Sequence, residues 1–379
     1  MVGWHMNTIE VWIEPGFSTS QWCANLLNGM KRGAKARHLH VSYIPVAQPH
    51  HVSDAGVVLA GETHVWFRGM IDFCNANKIR CCVASNTNYK GDALSIVRCD
   101  YSQISEHMVK YLCCAGKRRI ALVGINQSSP ADIVRLEGYL RAVRSLSMDL
   151  SLDDVFFTDG NISKVCQDFI SAHQNYDAAI ISNNFYAVYM LGRLTEAGVC
   201  VPDDLYLASF GNTKLSRISK PSITSIADNL GSIGYQSMVC MDTLLRDSNI
   251  SRLSIVVQAD EILGGSTAFF PFPPSTAFRS FDQPEKNISS TDDEAINRVS
   301  QLESCLVDAD YTDYRLINML IHEDLTKTEL ADALYLSEGS VNYRIGKLIR
   351  KTQVKNRTEL IEILRSYSSF IDFSKLLRT

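Results

Sequence analysis

Ile9-Glu-Val-Trp-Ile13, then Gln21 to Arg37 with Leu26, Leu27, Met30 and Ala34 at helical spacing, then Val41 to Val46: a strand, an amphipathic helix and a second strand open the chain. The alternation continues through Gly56-Val-Val-Leu-Ala60, a helical pattern from Trp66 to Ala76, and Arg80 to Ala84. It returns in Arg119-Ile-Ala-Leu-Val123 and Ala178-Ala-Ile-Ile181, each followed by a helix pattern. Short apolar strands alternating with helices predict an α/β fold whose parallel sheet is covered on both faces.

Composition sets the outer limits. The 379 residues are 46% hydrophobic and 21% charged, enough for two or three domains of ordinary globular character. The formal net charge of -4 rules out a global basic signature, so any nucleic-acid contact must come from a local patch. The eleven cysteines show no metal spacing, and the adjacent pairs Cys81-Cys82 and Cys113-Cys114 read as small core residues. Met1 to Phe17 lacks the pattern of a signal peptide, and no run approaches the roughly 20 apolar residues of a membrane span. The expectation is a soluble cytoplasmic protein with reduced thiols and no membrane partner. No GxSxG, HExxH, Walker or GxGxxG motif is present, so no enzyme, metal or cofactor is expected.

Four prolines between Pro271 and Pro284, among Ser, Thr and Asn, mark a linker. Thr291-Asp-Asp-Glu294 has capping-box spacing, and Ile296, Val299, Leu302 and Leu306 then trace a short amphipathic helix. That helix either pairs two subunits or packs on its own chain.

Thr326 and Glu329 form a second capping box, ahead of a helix with Leu330, Ala331 and Leu334. Ser337 can cap the next helix. Two short helices joined by a tight turn are a helix-turn-helix signature. On the second helix Val341, Ile345 and Leu348 form a buried stripe, with Tyr343, Lys347 and Arg350 opposite. Asn342 and Gly346 lie on one shoulder; Ser340, Arg344 and Lys351 lie on the other. Gly339 to Arg357 holds six basic residues and no acid. Arg and Lys neutralise phosphates, while Asn, Tyr and Arg reach base edges, so this face suits the major groove of duplex DNA.

The segments Leu325-Thr-Lys-Thr-Glu-Leu-Ala331, Leu336-Ser-Glu-Gly-Ser-Val341 and Val354-Lys-Asn-Arg-Thr-Glu-Leu360 resemble the LuxR-type helix-turn-helix over roughly Asp310 to Leu364. The resemblance implies a four-helix unit whose third helix, about Glu338 to Lys351, enters the major groove. It also implies a final helix, about Thr358 to Ser368, that pairs two copies. Asn342, where the family often has Lys, and Arg344, where it often has His, depart from the pattern.

Upstream, Ala115-Gly-Lys-Arg-Arg-Ile-Ala-Leu-Val-Gly124, Arg135-Leu-Glu-Gly-Tyr139, Ser182-Asn-Asn184, Gly198-Val-Cys-Val-Pro-Asp-Asp204, Pro221-Ser-Ile-Thr-Ser-Ile226 and Gly265-Ser-Thr267 resemble the effector-binding core of LacI/GalR regulators. The resemblance implies a two-lobed, periplasmic-binding-protein-like (type I) core of open parallel sheets at 7–268, with lobe one about 7–112 and 230–254, and lobe two about 113–228 and 255–268. A linker at 269–308 and an all-α domain at 309–379 complete the expected organisation.

The core implies a cleft beyond the carboxyl ends of the strands. The cleft candidates are Trp22, Asp100, Arg135, Asn183 and Asp228. Trp22 suits stacking on a sugar face and Arg135 offers a fork of donors. The alternatives are a core aromatic for Trp22, a turn residue for Asp100 and a surface residue for Arg135. Sugar-binding members have Gly-Phe-Asp-Asp where this chain has Ser209-Phe-Gly-Asn212. The expected function is a homodimeric transcription regulator whose cleft senses a sugar or sugar-like small molecule; a ligand-blind dimerisation scaffold is the alternative.

Overall fold

β1 (Thr8–Ile13) buries residues on both of its faces: Ile9, Val11 and Trp12 are fully covered. That is the requirement for a parallel strand with helices on each side. The computed structural model describes residues 8–19, 21–52, 55–61, 63–84, 94–273 and 294–378. α1 (Gln21–Arg37), β2 (His40–Pro45), β3 (Ala55–Ala60), α2 (His64–Ala76), β4 (Cys81–Ala84) and β5 (Ser95–Arg98) continue the first lobe. The second lobe contains α3 (Tyr101–Cys114), β6 (Ile120–Asn126), α4 (Pro130–Ser145), β7 (Val155–Thr158), α5 (Ile162–Ala172), β8 (Ala178–Ile181), α6 (Asn184–Glu196), β9 (Tyr206–Phe210), α7 (Lys214–Ile218) and β10 (Thr224–Ala227). α8 (Leu230–Arg246) and β11 (Ser254–Val256) return to lobe one, and β12 (Asp260–Ile262) goes back to lobe two.

The sheets run β11-β5-β4-β3-β1-β2 and β12-β10-β9-β8-β6-β7. Every pairing is parallel except β10 with β12. This is an α/β core of two open sheets, as expected. The chain crosses between lobes after β5, after β10 and between β11 and β12. Two expected lobe borders move. α3 lies along α4, and its Tyr111 hydroxyl meets Thr267 Oγ1 at 2.5 Å, so the first crossing falls near Cys99 rather than 112. β11 pairs with β5, so the last crossing follows 256 rather than 254. Packing partners fix these borders, and the strand pattern alone does not carry them.

Lobe one is closed by α1 against α8, and glycines make that contact. A Cβ on Gly29 would lie 2.0 Å from the Gly231 carbonyl oxygen, and one on Gly234 would lie 2.0 Å from that of Leu26. The backbones touch because neither helix has a side chain there.

After the core come α9 (Glu294–Val307), α10 (Tyr311–His322), α11 (Lys327–Leu334), α12 (Glu338–Thr352) and α13 (Arg357–Ser368). The Thr326–Glu329 capping box and the Ser337 cap both form. The Thr291 cap and most of the proline-rich linker lie outside the described residues. α9 packs on its own chain: Ile296, Val299, Leu302 and Leu306 are buried in one apolar core with α5, α6, α7 and the C-terminal helices. A short backbone bridge adds to the join, with Lys220 N–H donating to Phe370 C=O at 2.7 Å and Asp372 N–H to Ile218 C=O at 2.7 Å. Phe370 sits against Gly192 of α6, where a Cβ would meet its ring at 2.6 Å.

Gly234→Ala is expected to lower stability by roughly 1–3 kcal/mol through overpacking of α1 on α8. Gly69→Ala, in α2 with open space around the new methyl, is expected to raise it by about 0.4–1 kcal/mol. Denaturant melts of both variants against the parent chain measure the contrast.

Candidate ligand cleft and nucleic-acid interface

The strand ends of both lobes deliver polar groups to one region. β5 runs into Asp100 and Tyr101, β9 ends at Phe210, and β10 leads to Asp228. Arg135 comes from α4, is nearly buried, and donates from Nη1 to Asp132 Oδ1 at 2.6 Å. Its guanidinium lies over the Tyr101 ring, 4.4 Å from the centroid, and 5.1 Å from that of Phe210. The Tyr101 hydroxyl donates to Asp228 Oδ2 at 2.5 Å. Burial raises the Asp132 and Asp228 carboxyls above their usual range, with Arg135 pulling both the other way. Arg135 Nε is buried with no hydrogen-bond partner among the described residues. Trp22, 46% exposed at the start of α1, faces Phe185 of lobe two at 6.5 Å between ring centroids.

Two of the five cleft candidates have other work. Asp100 caps α3, accepting from the N–H groups of Ser102 and Gln103. Asn183 caps α6, accepting from Tyr186 N–H at 3.0 Å. The structure therefore brings Arg135 and Asp228 together around Tyr101 and puts Trp22 opposite Phe185. Trp22 is no core aromatic and Arg135 no surface residue.

Sequence reasoning missed Tyr101, Asp132, Phe185 and Phe210. Asp132 was findable, since it stands three residues before Arg135 on one helix face. Tyr101 and Phe210 reach Arg135 within lobe two from distant points of the chain, and Phe185 depends on how the two lobes meet. Asn184, next to Asn183, ties the floor together: it donates to Ser209 and Ser225 and accepts from Thr213 N–H and the Ser216 hydroxyl, the last two at 3.0 Å. Gly211 has φ of 110° and accepts no side chain without strain, and a Cβ there would approach Asn184 Oδ1 at 3.2 Å. An aspartate at this backbone position would therefore be strained.

On α12 the eight expected DNA contacts divide. Asn342, Tyr343 and Arg350 are exposed, Tyr343 at 68%, and Gly346 lies between them. Arg350 carries no ion pair to a described residue. Arg344, Lys347 and Lys351 do not stand free as expected. Arg344 Nη1 donates to both Asp310 oxygens at 2.9 Å and to Asp313 Oδ1 at 2.6 Å. Lys347 Nζ reaches Asp313 Oδ2 at 2.9 Å, and Lys351 Nζ reaches Asp308 Oδ2 at 2.5 Å. The acids come from the turn between α9 and α10 and from the first turn of α10, so the acid-free run from Gly339 to Arg357 gave no sign of them. Ser340 shares its hydroxyl with Ser337 at 3.0 Å. A groove of about 520 Å³ lies between Asp310 and the start of α12, lined by Ser337, Ser340, Tyr343, Arg344 and Lys347.

Comparison with known proteins fits both halves. Residues 109–267 match the family described as a periplasmic binding protein-like domain, and residues 310–351 match one described as winged helix-turn-helix DNA-binding. The two-sheet core thus has the periplasmic-binding-protein-like fold. A C-terminal helix-turn-helix domain follows it. Catabolite control protein A of Staphylococcus epidermidis is 31% identical over 178 residues, 46% of this chain and 54% of that one. The transcriptional repressor CytR of Escherichia coli is 26% identical over 168 residues, 43% of this chain and 49% of that one. The chain thus spans about half the length of these curated relatives, which are regulators by name.

Solved structures share the fold. A transcriptional regulator CelR–cellobiose complex superposes with TM-score 0.58 at 16% identity, covering 68% of this chain and 84% of that one. A LacI family regulator from Enterococcus faecium with bound ribose gives 0.55 at 17% identity, covering 70% and 100%. Among the described residues no helix is long and apolar enough to cross a membrane, and no cluster of metal-ligating groups forms.

Arg135→Met leaves Asp132 buried without its cation. It is expected to cost about 3–5 kcal/mol, and Arg135→Met with Asp132→Leu is expected to recover most of the loss. Thermal melts of the single and double variants decide between them.

Proposed function

We propose that this chain is a transcription regulator that binds duplex DNA through α12 and senses a small molecule in the inter-lobe cleft. The observation that carries the reading is the outward row Asn342, Tyr343 and Arg350 on a capped helix-turn-helix, in the same chain as a two-lobed core. Asn and Arg present the donors that major-groove base edges accept, and Tyr adds a phosphate contact. We read the reader as the four-helix LuxR-type form. Its support is that α13 follows α12 where a wing would stand, with no strand there among the described residues. The chain acts in the cytoplasm as a homodimer, two readers meeting two half-sites.

For the cleft we infer a sugar or sugar-like effector, held by Arg135 and Asp228 with Trp22 and Phe185 stacking on its faces. The names of the fold relatives with cellobiose and ribose support that class. The backbone at Gly211 and the pairing of Asp228 with Tyr101 favour a second reading, in which the core only assembles subunits. A thermal-shift screen of sugars and nucleosides separates the two. At 100 times its Kd a true effector adds about 2.7 kcal/mol of stability, and an inert cleft gives no shift.

Arg350→Ala is expected to weaken duplex binding at every sequence or to relax preference at one base pair by about 1–3 kcal/mol. Selection from a random duplex library followed by titration of parent and variant reads this out. Equal binding by both would remove α12 from the interface.

A further inference from the structure

α12 carries four cations, Arg344, Lys347, Arg350 and Lys351, and three of them are held by aspartates of the α9–α10 turn and the first turn of α10. The three acids differ. Asp313 is fully buried, holds two cations and completes the capping box of α10, so it belongs to the core of the unit. Asp308 and Asp310 have side chains 50% and 56% exposed, and such pairs add little to stability. Yet they sit on the flank of the helix that carries Asn342, Tyr343 and Arg350. The groove beside them combines the start of α12 with Arg344 and Lys347, which is the chemistry that accepts a backbone phosphate.

We propose that Asp308 and Asp310 compete with DNA phosphates for Lys351 and Arg344, so that the α9–α10 turn is an intramolecular restraint on the recognition helix. This rests on the DNA-binding reading of α12. Duplex binding must then exchange each carboxylate for a phosphate, and affinity is held below what the four cations would give. The turn is itself positioned by lobe two. Lys214 Nζ donates to Leu306 C=O at 2.9 Å and to the Tyr314 hydroxyl at 2.7 Å, one contact on each side of the turn. Lys214 begins α7, three residues after Gly211 at the floor of the cleft. The restraint therefore has a physical link to the lobe that faces a ligand.

The test uses the full chain and a mixed-sequence duplex of about three helical turns, with binding followed by fluorescence anisotropy across a salt series. Asp308→Asn with Asp310→Asn keeps a good cap on α10, because Asn caps as well as Asp. The double variant is expected to bind about tenfold or more tightly at low salt. Its slope of log affinity against log salt is expected to steepen by about 0.9 for each cation released. Glu323→Gln with Glu362→Gln makes the same charge change at two exposed acids that hold no described cation, and is expected to leave the slope unaltered. If the double variant melts early, Asp308→Asn alone, which touches no cap, is expected to give half the change in slope. Lys214→Met, which leaves every DNA-facing charge in place, is expected to give an intermediate gain. Equal affinity and slope for parent and double variant would overturn the proposal, as would an equal gain from the control pair. Binding lost in a double variant that melts normally overturns it too, because the acids would then be needed on DNA. If no form binds the duplex even at low salt, the DNA reading fails and the restraint with it.

Discussion

The Glu303 carboxylate is the constraint on which the joining of core and reader depends. It is 6% exposed, and its two oxygens accept from Lys214 N–H at 2.6 Å and Leu215 N–H at 2.8 Å, the first two amides of α7. Charge-assisted bonds of this kind contribute about 1.5–3 kcal/mol each, against a desolvation penalty of several kcal/mol for the ion. The sum is close to zero. Burial wins, since it pushes the Glu303 carboxyl above its usual range despite both amides and the nearby Arg217 and Lys214. A carboxyl raised on folding contributes stability below its unfolded value and loses that contribution as pH rises through the folded value. The ionised group is thus poorly justified as a stabiliser. Its geometry serves position instead, because two directed bonds fix where α9 lies on α7 as a purely apolar contact would not.

From that join the reader's place follows. α9 packs on α6, α7 and α12, and the apolar core it helps form runs without a break from β8 of lobe two to Leu360 and Leu364 of α13. Lobe one has no comparable contact with the C-terminal helices among the described residues. A reader sharing a core with one lobe moves with that lobe as a single body, because packed interiors do not deform gradually. A rotation at the three crossings would carry the C-terminal helices with lobe two and leave the inside of α12 unchanged.

Much of this architecture was legible in the sequence, and the reason is local. The strands of both sheets are short apolar runs, and the caps at Thr326 and Ser337 sit within three residues of what they cap. What was hidden depends on distance along the chain. The Asp308–Lys351 pair spans 43 residues and the Lys214–Glu303 contact 89. No spacing rule reaches that far. The cleft shows the same division. Arg135 and Asp228, named by position in the resemblance, lie together around Tyr101, whereas Asp100 and Asn183, named in the same way, cap α3 and α6. An Asp or Asn at a strand end is what α3 and α6 need to begin, and only hydrogen-bond partners tell the two uses apart.

The polar cluster in the cleft is complete enough to raise a question of energy. Arg135, Asp132, Tyr101 and Asp228 already satisfy most of one another. A ligand must displace those contacts or add to them. Displacement is costly, because a buried carboxylate stripped of its partner bears the full desolvation penalty. Addition is cheaper, and Arg135 Nε, a guanidinium nitrogen left without an acceptor among the described residues, is where it can occur. Trp22 and Phe185 face each other from opposite lobes, 6.5 Å between ring centroids, and offer apolar area between the lobes. A ligand with one acceptor for Nε and flat apolar faces for the two rings would hold the lobes together while leaving the Asp132–Arg135 pair intact. Asp132 and Asp228 are already engaged by Arg135 and Tyr101, so the apolar rings, rather than the carboxylates, are the groups left with area to bury.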